Sequence, residues 1–162
     1  MESTGITIER VHFVFGNVAK LLPTTLERVV KFCDNYHMDS DPNYLIADIC
    51  ADCWNQSPSF LVLVAIKDSR VIAHLLASLD MHYGNRIAVI QQLEVDKGCG
   101  ITKEIFDYGM KIVNDWAKEA KCKTFRIFTR NRALVRIFNR YGFNDTGRVL
   151  MTREVDGGEN GR

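Results

Sequence analysis

The chain has 162 residues, of which 46% are hydrophobic and 25% charged, a composition that fits one globular domain with a substantial core. The 21 basic and 20 acidic residues give a net charge of +1, so nucleic acid and anionic membranes are not favoured as partners. The N-terminus lacks a signal-peptide pattern, and the longest apolar run, residues 60–66, is too short to cross a bilayer. We therefore expect a cytoplasmic protein with a single domain over residues 1–155 and a disordered tail at 156–162.

Five cysteines are present, an odd number without the spacing of a disulfide framework, which predicts reduced thiols. The pair Cys50-x-x-Cys53 is half of a zinc motif. It lacks a second pair and lies in a predicted helix, so we interpret both thiols as small buried hydrophobic groups and predict no metal site.

The N-terminal third predicts one strand and two helices. Residues 6–11 alternate weakly and indicate the first strand. Pro23-Thr24-Thr25 predicts the start of a helix that runs to residue 36. Asp41 is a good N-cap and Pro42 a good first residue for a second helix, which Ser57-Pro58 ends. The predicted apolar faces are Leu26, Val29, Val30 and Cys33 on the first helix, and Tyr44, Leu45, Ile49 and Trp54 on the second.

The middle of the chain predicts an antiparallel meander of three strands. Residues 60–67 form a nearly continuous apolar run, followed by the turn Asp68-Ser69 and a longer run at 70–82. A second turn at Gly84-Asn85 leads into a strand at 86–95. Within these strands, we interpret His74 as a residue of the core or of its edge whose ring nitrogens are hydrogen-bonded. Gln91 and Gln92 need partners, so either one of them faces a cleft or both bond to a neighbouring loop.

The last third predicts alternating helices and strands. An apolar stripe indicates a helix over 102–120, followed by a strand at 124–130, a helix at 131–140, Gly142-Phe143 and a final strand. A meander followed by a strand-helix-strand unit gives an α/β (α+β) fold. We expect a mixed, mostly antiparallel twisted sheet with a central parallel pair and helices on both faces.

A glycine-rich turn, Lys97-Gly98-Cys99-Gly100-Ile101-Thr102, lies between the strand at 86–95 and the helix at 102–120. Two glycines let the backbone approach a ligand closely, and the helix start offers free N–H groups and a positive dipole end. Phosphate groups bind at turns of this kind, and Lys97 adds a positive charge at the edge of the turn. The alternative is plain strand-to-helix geometry without a ligand.

This turn resembles the Arg/Gln-x-x-Gly-x-Gly/Ala loop of the GNAT superfamily of N-acetyltransferases. Lys97 stands at the Arg/Gln position, Gly100 is the glycine, and Thr102 replaces the final small residue. Asn131 and Gly142-Phe143 also fall at the spacing usual in that family. The sequence departs from the family pattern where Phe138 occupies the place of a tyrosine, and the link from strand to loop is several residues shorter. The resemblance covers residues 60–155.

The resemblance implies that acetyl-CoA, as co-substrate, enters a cleft where two parallel strands diverge and pairs with the strand before the loop. Glu94 is the best-placed carboxylate for a catalytic base, with a solvated or salt-bridged side chain as the alternative. The implied cofactor-binding residues are Leu93, Val95, Lys97, Gly98, Cys99, Gly100, Thr102, Lys103, Asn131 and Phe138.

The implied function is an acyl-CoA-dependent N-acetyltransferase whose acceptor is a small-molecule or protein amine of unknown identity. Phe138 lacks the hydroxyl that would protonate the leaving thiolate, which favours a second hypothesis. In that hypothesis the protein is a catalytically inactive GNAT-fold binding or structural protein, for example a component of a phage particle. The sequence is also compatible with a homodimer. A stripe of three arginines faces solvent or, as the alternative, meets the 3′-phosphate of coenzyme A, an acidic partner or nucleic acid: Arg132, Arg136 and Arg140.

Overall fold

The computed structural model describes residues 5–12, 15–36, 41–55, 59–129, 132–144 and 146. The chain divides into two compact units, residues 1–128 and 129–162. Among the described residues, no helix combines the length and the apolar character that a bilayer span requires.

The first unit contains a five-stranded sheet in the order β1-β2-β3-β4-β5. Neighbouring strands are antiparallel except for β4 and β5, which are parallel. This arrangement confirms the predicted mixed, mostly antiparallel sheet with one parallel pair. Among the described strands this pair lies at one end of the sheet rather than at its centre, and β5 is shorter than the strand predicted at 124–130. The strands are β1 (Thr7–Arg10), β2 (Phe60–Lys67), β3 (Arg70–His82), β4 (Asn85–Val95) and β5 (Thr124–Ile127).

Two tight turns connect the meander strands β2, β3 and β4. Asp68 and Ser69 both have positive φ angles (49° and 62°), as a two-residue hairpin turn with the twist of the sheet requires. The second turn is Tyr83-Gly84, with φ angles of 47° and 74°, so the prediction of Gly84-Asn85 was one residue late. Asn85 instead pairs with His82 in the ladder.

The first helix, α1, spans Val18–Tyr36 and contains Pro23, so the predicted start at Pro23 is wrong. A proline inside a helix costs about 3 kcal/mol. The stripe of buried apolar residues begins before it, at Val18 and Leu21, while Pro23 lies on the exposed side. Burial of that stripe offsets the cost of the proline.

The second helix, α2, spans Pro42–Asn55 and begins as predicted. The Asp41 carboxylate accepts the N–H of Asn43 at 2.8 Å, which caps the helix. Tyr44 and Trp54 are 75% and 52% exposed, so their predicted place on the apolar face is wrong. The helix directs Ile49 and Cys53 into the core and leaves these two aromatic side chains exposed.

Helices cover both faces of the sheet, as predicted. Side chains of α1 reach His74 and Gln92 on one face. The third helix, α3 (Lys103–Glu119), packs on the other face, where it and the sheet line a partly open apolar cavity of about 60 Å³. Lining residues of this cavity include Ile8, Leu93, Val95, Ile105, Gly109 and Met110.

The second unit contains the helix α4 (Arg132–Asn139). Phe138 is buried, and its ring meets that of Phe143 edge-on with centroids 5.1 Å apart. The three predicted stripe residues Arg132, Arg136 and Arg140 are all exposed. Asn131, the predicted final strand and the predicted tail at 156–162 lie outside the described residues.

Candidate functional site

The pairing of the parallel strands β4 and β5 ends partway along β4, where β5 itself ends. Their pairing runs only from Ile87 to Ile90 of β4, whereas β4 continues to Val95. The β3–β4 ladder shifts register at the same point, since Leu76 pairs with Gln92 but Ala77 pairs with Ile90. Gln91 is therefore the extra residue of a β-bulge, and beyond it the edge of β4 on the β5 side pairs with no strand among the described residues. We call the space beside this unpaired edge the cleft.

The open edge of β4 carries main-chain groups of two predicted cofactor-binding residues. The N–H of Asp96 donates to the C=O of Ile72 on the β3 side, at 2.9 Å. Main-chain groups alternate in direction along a strand, so those of Leu93 and Val95 point to the opposite edge, toward the cleft. A ligand with amide groups can hydrogen-bond along this edge as an additional strand would.

The glycine loop follows directly. Gly98 and Gly100 have φ angles of +70° and +86°, a region that other residues rarely adopt. A Cβ at Gly98 would meet no atom within 4 Å, so the backbone of the loop is open to a ligand. The N–H of Cys99 donates to the C=O of Asp96 at 3.4 Å and closes the turn.

The first turn of α3 begins at Thr102, whose hydroxyl accepts the N–H of Ile105 at 3.5 Å. This cap leaves the N–H groups of the helix's first residues available to an anion. The exposed Glu104 carboxylate competes for that role. Hydrogen bonds from its own backbone N–H and from the Thr102 hydroxyl hold the pKa of the Glu104 carboxyl below its usual value.

A cation from another strand reaches the loop. Lys67, the last residue of β2, donates from Nζ to the C=O of Cys99 at 3.4 Å. The same Nζ lies 3.8 Å from the position that a Cβ on Gly100 would take. Lys97 was predicted from the sequence as a cation beside the loop. Lys67 was not, because it is 32 residues away from Cys99.

The predicted base Glu94 faces α1 and meets a guanidinium. Arg28 Nη2 lies 3.3 Å from Glu94 Oε2 and 2.9 Å from Asp96 Oδ1. The Arg28 side chain is 15% exposed, so these pairs are partly desolvated. The salt-bridged alternative for Glu94 is present in the structure, and its role as a base stays a prediction.

A chain of hydrogen bonds runs inward from Arg28. Arg28 Nε donates to His74 Nδ1 at 3.4 Å, His74 Nε2 lies 3.0 Å from Gln92 Oε1, and Gln92 Nε2 donates to Cys33 Sγ at 3.4 Å. Burial lowers the pKa of His74 to about 4, so this imidazole is neutral at pH 7. Gln91 donates to Ser78 Oγ at 2.9 Å. Both glutamines thus find partners on strands and α1 rather than on a loop.

The structure brings most of the predicted site residues into one continuous run beside the cleft. Phe138 belongs to the second unit, and Asn131 lies outside the described residues. The residues of the run are Leu93, Glu94, Val95, Lys97, Gly98, Cys99, Gly100, Thr102 and Lys103.

The cysteines of the Cys50-x-x-Cys53 pair behave as packing residues. Cys53 is buried and donates from Sγ to the C=O of Val11 at 3.3 Å, and burial raises the pKa of its thiol to about 12. Within the described part of the chain, no group of three or more His, Cys, Asp or Glu side chains is arranged to hold a metal ion.

No protein-family model matches the sequence, and no curated protein matches it significantly. Solved structures do match in fold. AAC(6')-Iy in complex with the bisubstrate analog CoA-S-monomethyl-acetylneamine aligns with a TM-score of 0.67 and 16% identity, covering 93% of this chain and 98% of that chain. An aminoglycoside acetyltransferase from an uncultured soil metagenomic sample, in complex with trehalose, aligns with a TM-score of 0.63 and 16% identity over 96% and 99% of the two chains.

The same soil acetyltransferase in complex with sisomicin aligns with a TM-score of 0.57 and 15% identity, over 94% of this chain and 96% of that chain. At these identities the likeness concerns the fold. The chain has the GNAT fold, as the resemblance implied, and its structural neighbours include acetyltransferases.

Proposed function

We propose that this protein is an acyl-CoA-dependent N-acetyltransferase that moves an acetyl group from acetyl-CoA to an amine. The observation that carries this proposal is the edge of β4 that stays unpaired beyond the bulge at Gln91, a few residues before a two-glycine loop that leads into α3. A neighbour with the same fold binds a CoA bisubstrate analog, which supports a CoA-type ligand in such a cleft.

The residues beside the cleft suit the parts of acetyl-CoA in order. Main-chain groups of Leu93 and Val95 would pair with the two amides of the pantetheine arm. The pyrophosphate would then lie against the N–H groups of the loop and of the first turn of α3, between Gly98 and Lys103. Lys67 and Lys97 supply positive charge there. The Glu104 carboxylate must turn away from the helix start when the phosphates bind.

The chemistry requires a deprotonated amine and a proton for the leaving group. The amine nitrogen bonds to the thioester carbon, the carbon–sulfur bond breaks, the amine loses one proton and the coenzyme A thiolate gains one. Glu94 is the carboxylate that we propose as acceptor of the amine's proton. Phe138 has no hydroxyl to protonate the thiolate, so in this proposal water supplies that proton.

The charge around Glu94, away from the phosphate end of the cleft, favours a cationic acceptor. Glu94 and Asp96 carry two negative charges against the one positive charge of Arg28, while His74 is neutral at pH 7. One neighbour of the same fold is an aminoglycoside acetyltransferase solved with sisomicin. We therefore include small molecules with several amino groups among the acceptors to be screened first, beside protein amines.

A second candidate function is a GNAT-fold binding or structural protein without catalysis. Two observations favour it. The phenyl ring of Phe138 is buried where the family pattern has a tyrosine, and the exposed Glu104 carboxyl, whose pKa is lowered, adds a negative charge to the first turn of α3, where phosphate would bind.

Calorimetric titration with acetyl-CoA and with coenzyme A separates the two candidates. Gly100→Trp places a large side chain in the loop at a positive φ, and Gly84→Trp is its matched control in the β3–β4 turn at the other end of β4. If the protein is the proposed enzyme, it should bind acetyl-CoA and coenzyme A, and this binding should be lost in Gly100→Trp and kept in Gly84→Trp. No detectable heat at several temperatures, with folded protein, would support the second candidate. If binding is found, Glu94→Gln should lower turnover while leaving that affinity unchanged.

A further inference from the structure

One side chain of α1 ties together the end of β4 and the start of the glycine loop. Arg28 Nη2 lies between Asp96 Oδ1, at 2.9 Å, and Glu94 Oε2, at 3.3 Å. Asp96 directly follows β4 and is the first residue of the loop. Arg28 and Asp96 are 68 residues apart in sequence, so this contact joins elements that no local interaction holds together.

The other two nitrogens of the guanidinium are also engaged. Nη1 donates to the C=O of Val71, and Nε donates to His74 Nδ1, each at 3.4 Å. Because His74 Nδ1 accepts a hydrogen bond, the network assigns the ring proton to Nε2, which donates to Gln92 Oε1. A planar fork with donors on all three nitrogens makes these contacts at once, whereas a lysine ammonium cannot.

The loop has few other attachments of this kind. Its two glycines carry no side chains, and a Cβ on Gly98 would touch nothing within 4 Å. Asp96 is held through its N–H, which donates to Ile72, and through its carboxylate, which Arg28 binds. The C=O of Asp96 in turn accepts the N–H of Cys99. The position of Asp96 thus determines where the turn begins.

We propose that Arg28 is a positioning residue that holds the start of the glycine loop and the Glu94 carboxylate in place against α1. The effect on coenzyme A rests on the proposed function, whereas the effect on the loop does not. In this arrangement a shift of α1 moves both the predicted base and the loop that would receive the phosphates.

Hydrogen exchange measured by NMR tests the effect on the loop without any ligand. Arg28→Met removes the guanidinium, and Lys31→Met is the matched control, an exposed residue of the same helix. We expect the amides of Asp96 and Cys99 to exchange about tenfold faster in Arg28→Met, and at the wild-type rate in Lys31→Met. Unchanged protection of the β2 amides shows that the variant is folded. Equal exchange of the loop amides in wild type and Arg28→Met would overturn the proposal.

Two further variants separate positioning from general stability. Arg28→Lys keeps one charge, so it should restore most of the loop protection while losing the Nε contact, which the 15N shifts of the His74 ring report. Asp96→Asn removes the ion pair with Arg28 but keeps a side chain of similar size at position 96. This variant replaces Arg28→Met in the experiment if Arg28→Met does not fold. It should speed exchange of the Cys99 amide in the same way. An unchanged exchange rate of the Cys99 amide in both Arg28→Met and Asp96→Asn contradicts the proposal.

Calorimetric titration with coenzyme A tests whether Arg28 also affects the binding of this ligand. Arg28→Met should weaken binding about tenfold relative to Lys31→Met. If the wild-type protein binds no coenzyme A, the proposed function fails and the exchange experiment alone decides whether Arg28 positions the loop. If wild type and Arg28→Met bind equally, Arg28 does not position the loop for this ligand.

Discussion

His74 Nε2 and Gln92 Oε1 lie 3.0 Å apart, with both side chains almost completely buried between α1 and the sheet. Gln92 directly follows the bulge residue of β4, and His74 lies on the neighbouring strand. The pair therefore ties β4 to β3 close to the point at which the pairing of β4 with β5 ends. Its hydrogen bond needs a proton on Nε2 and an unprotonated Nδ1, so the contact with Arg28 depends on a neutral imidazole.

Protonation of His74 should destabilise the protein as the pH falls. Its pKa is lowered from 6.5 to about 4, mainly by burial, so the unfolded chain binds the proton more readily than the folded one. The stabilising contribution is fully present above pH 6.5 and is lost as the pH falls toward 4. Urea unfolding should show a loss of about 2 kcal/mol between pH 7 and pH 5 from this group.

His74→Gln is the control for that prediction because it removes the titrating group and keeps a polar side chain. The free energy of unfolding of this variant should fall by about 2 kcal/mol less than that of wild type over the same pH interval. His12, whose pKa burial also lowers, is present in both proteins and cancels in the comparison. Parallel pH profiles for the two proteins would show that His74 is not the group responsible.

The sequence predicted the meander and α3 well because their patterns are local. Continuous apolar runs bounded by turn residues fixed β2, β3 and β4 to within a residue or two, and a stripe at helical spacing fixed α3. The start of α1 was wrong because the local signal of Pro23 is weaker than the burial of Val18 and Leu21, which depends on tertiary contacts.

The candidate site was predictable only where its residues are consecutive. Two glycines marked the loop, whereas the strand predicted at 86–95 contained no bulge and Gln91-Gln92 was predicted only to need hydrogen-bond partners. Arg28 and Lys67 carried no such signal. Each reaches the loop from an element 68 or 32 residues away, and surface cations of this kind occur throughout the chain. Their roles follow from the fold, which brings α1 and the end of β2 beside the loop.

Lys67→Met should weaken the binding of coenzyme A by about three- to tenfold at low ionic strength, because it removes a cation beside the loop. The loss should shrink as salt is added, since the ammonium is only partly buried. Calorimetric titrations at two salt concentrations measure both effects. Arg70→Met, which removes an exposed cation from the same hairpin, should leave the affinity within twofold. Equal losses in the two variants would indicate general charge attraction rather than a contact.

Glu104→Gln should strengthen the binding of coenzyme A by about two- to fivefold, since it removes a negative charge from the helix start where phosphate would lie. The carboxylate accepts hydrogen bonds there from its own backbone N–H and from Thr102. Asp48→Asn on α2, also exposed, is the control for net charge. An affinity that rises equally in both variants would mean that Glu104 does not compete with the phosphates.

Gly109→Ala should stabilise the protein by about 0.5–1 kcal/mol, because glycine inside a helix is unfavourable relative to alanine. The new Cβ would lie 3.3 Å from Ile8 Cδ1, which is tight. Ile8 lines the apolar cavity of about 60 Å³ under α3, so its terminal methyl group has room to move. Urea unfolding should therefore show a higher free energy of unfolding for the variant than for wild type.

The same substitution in an Ile8→Val background tests the reason given for the gain. Valine lacks the Cδ1 atom, so Gly109→Ala should stabilise Ile8→Val at least as much as it stabilises wild type. If Gly109→Ala destabilises wild type but stabilises Ile8→Val, the isoleucine methyl group cannot enter the cavity, and α3 packs against β1 more rigidly than the open space beneath it implies.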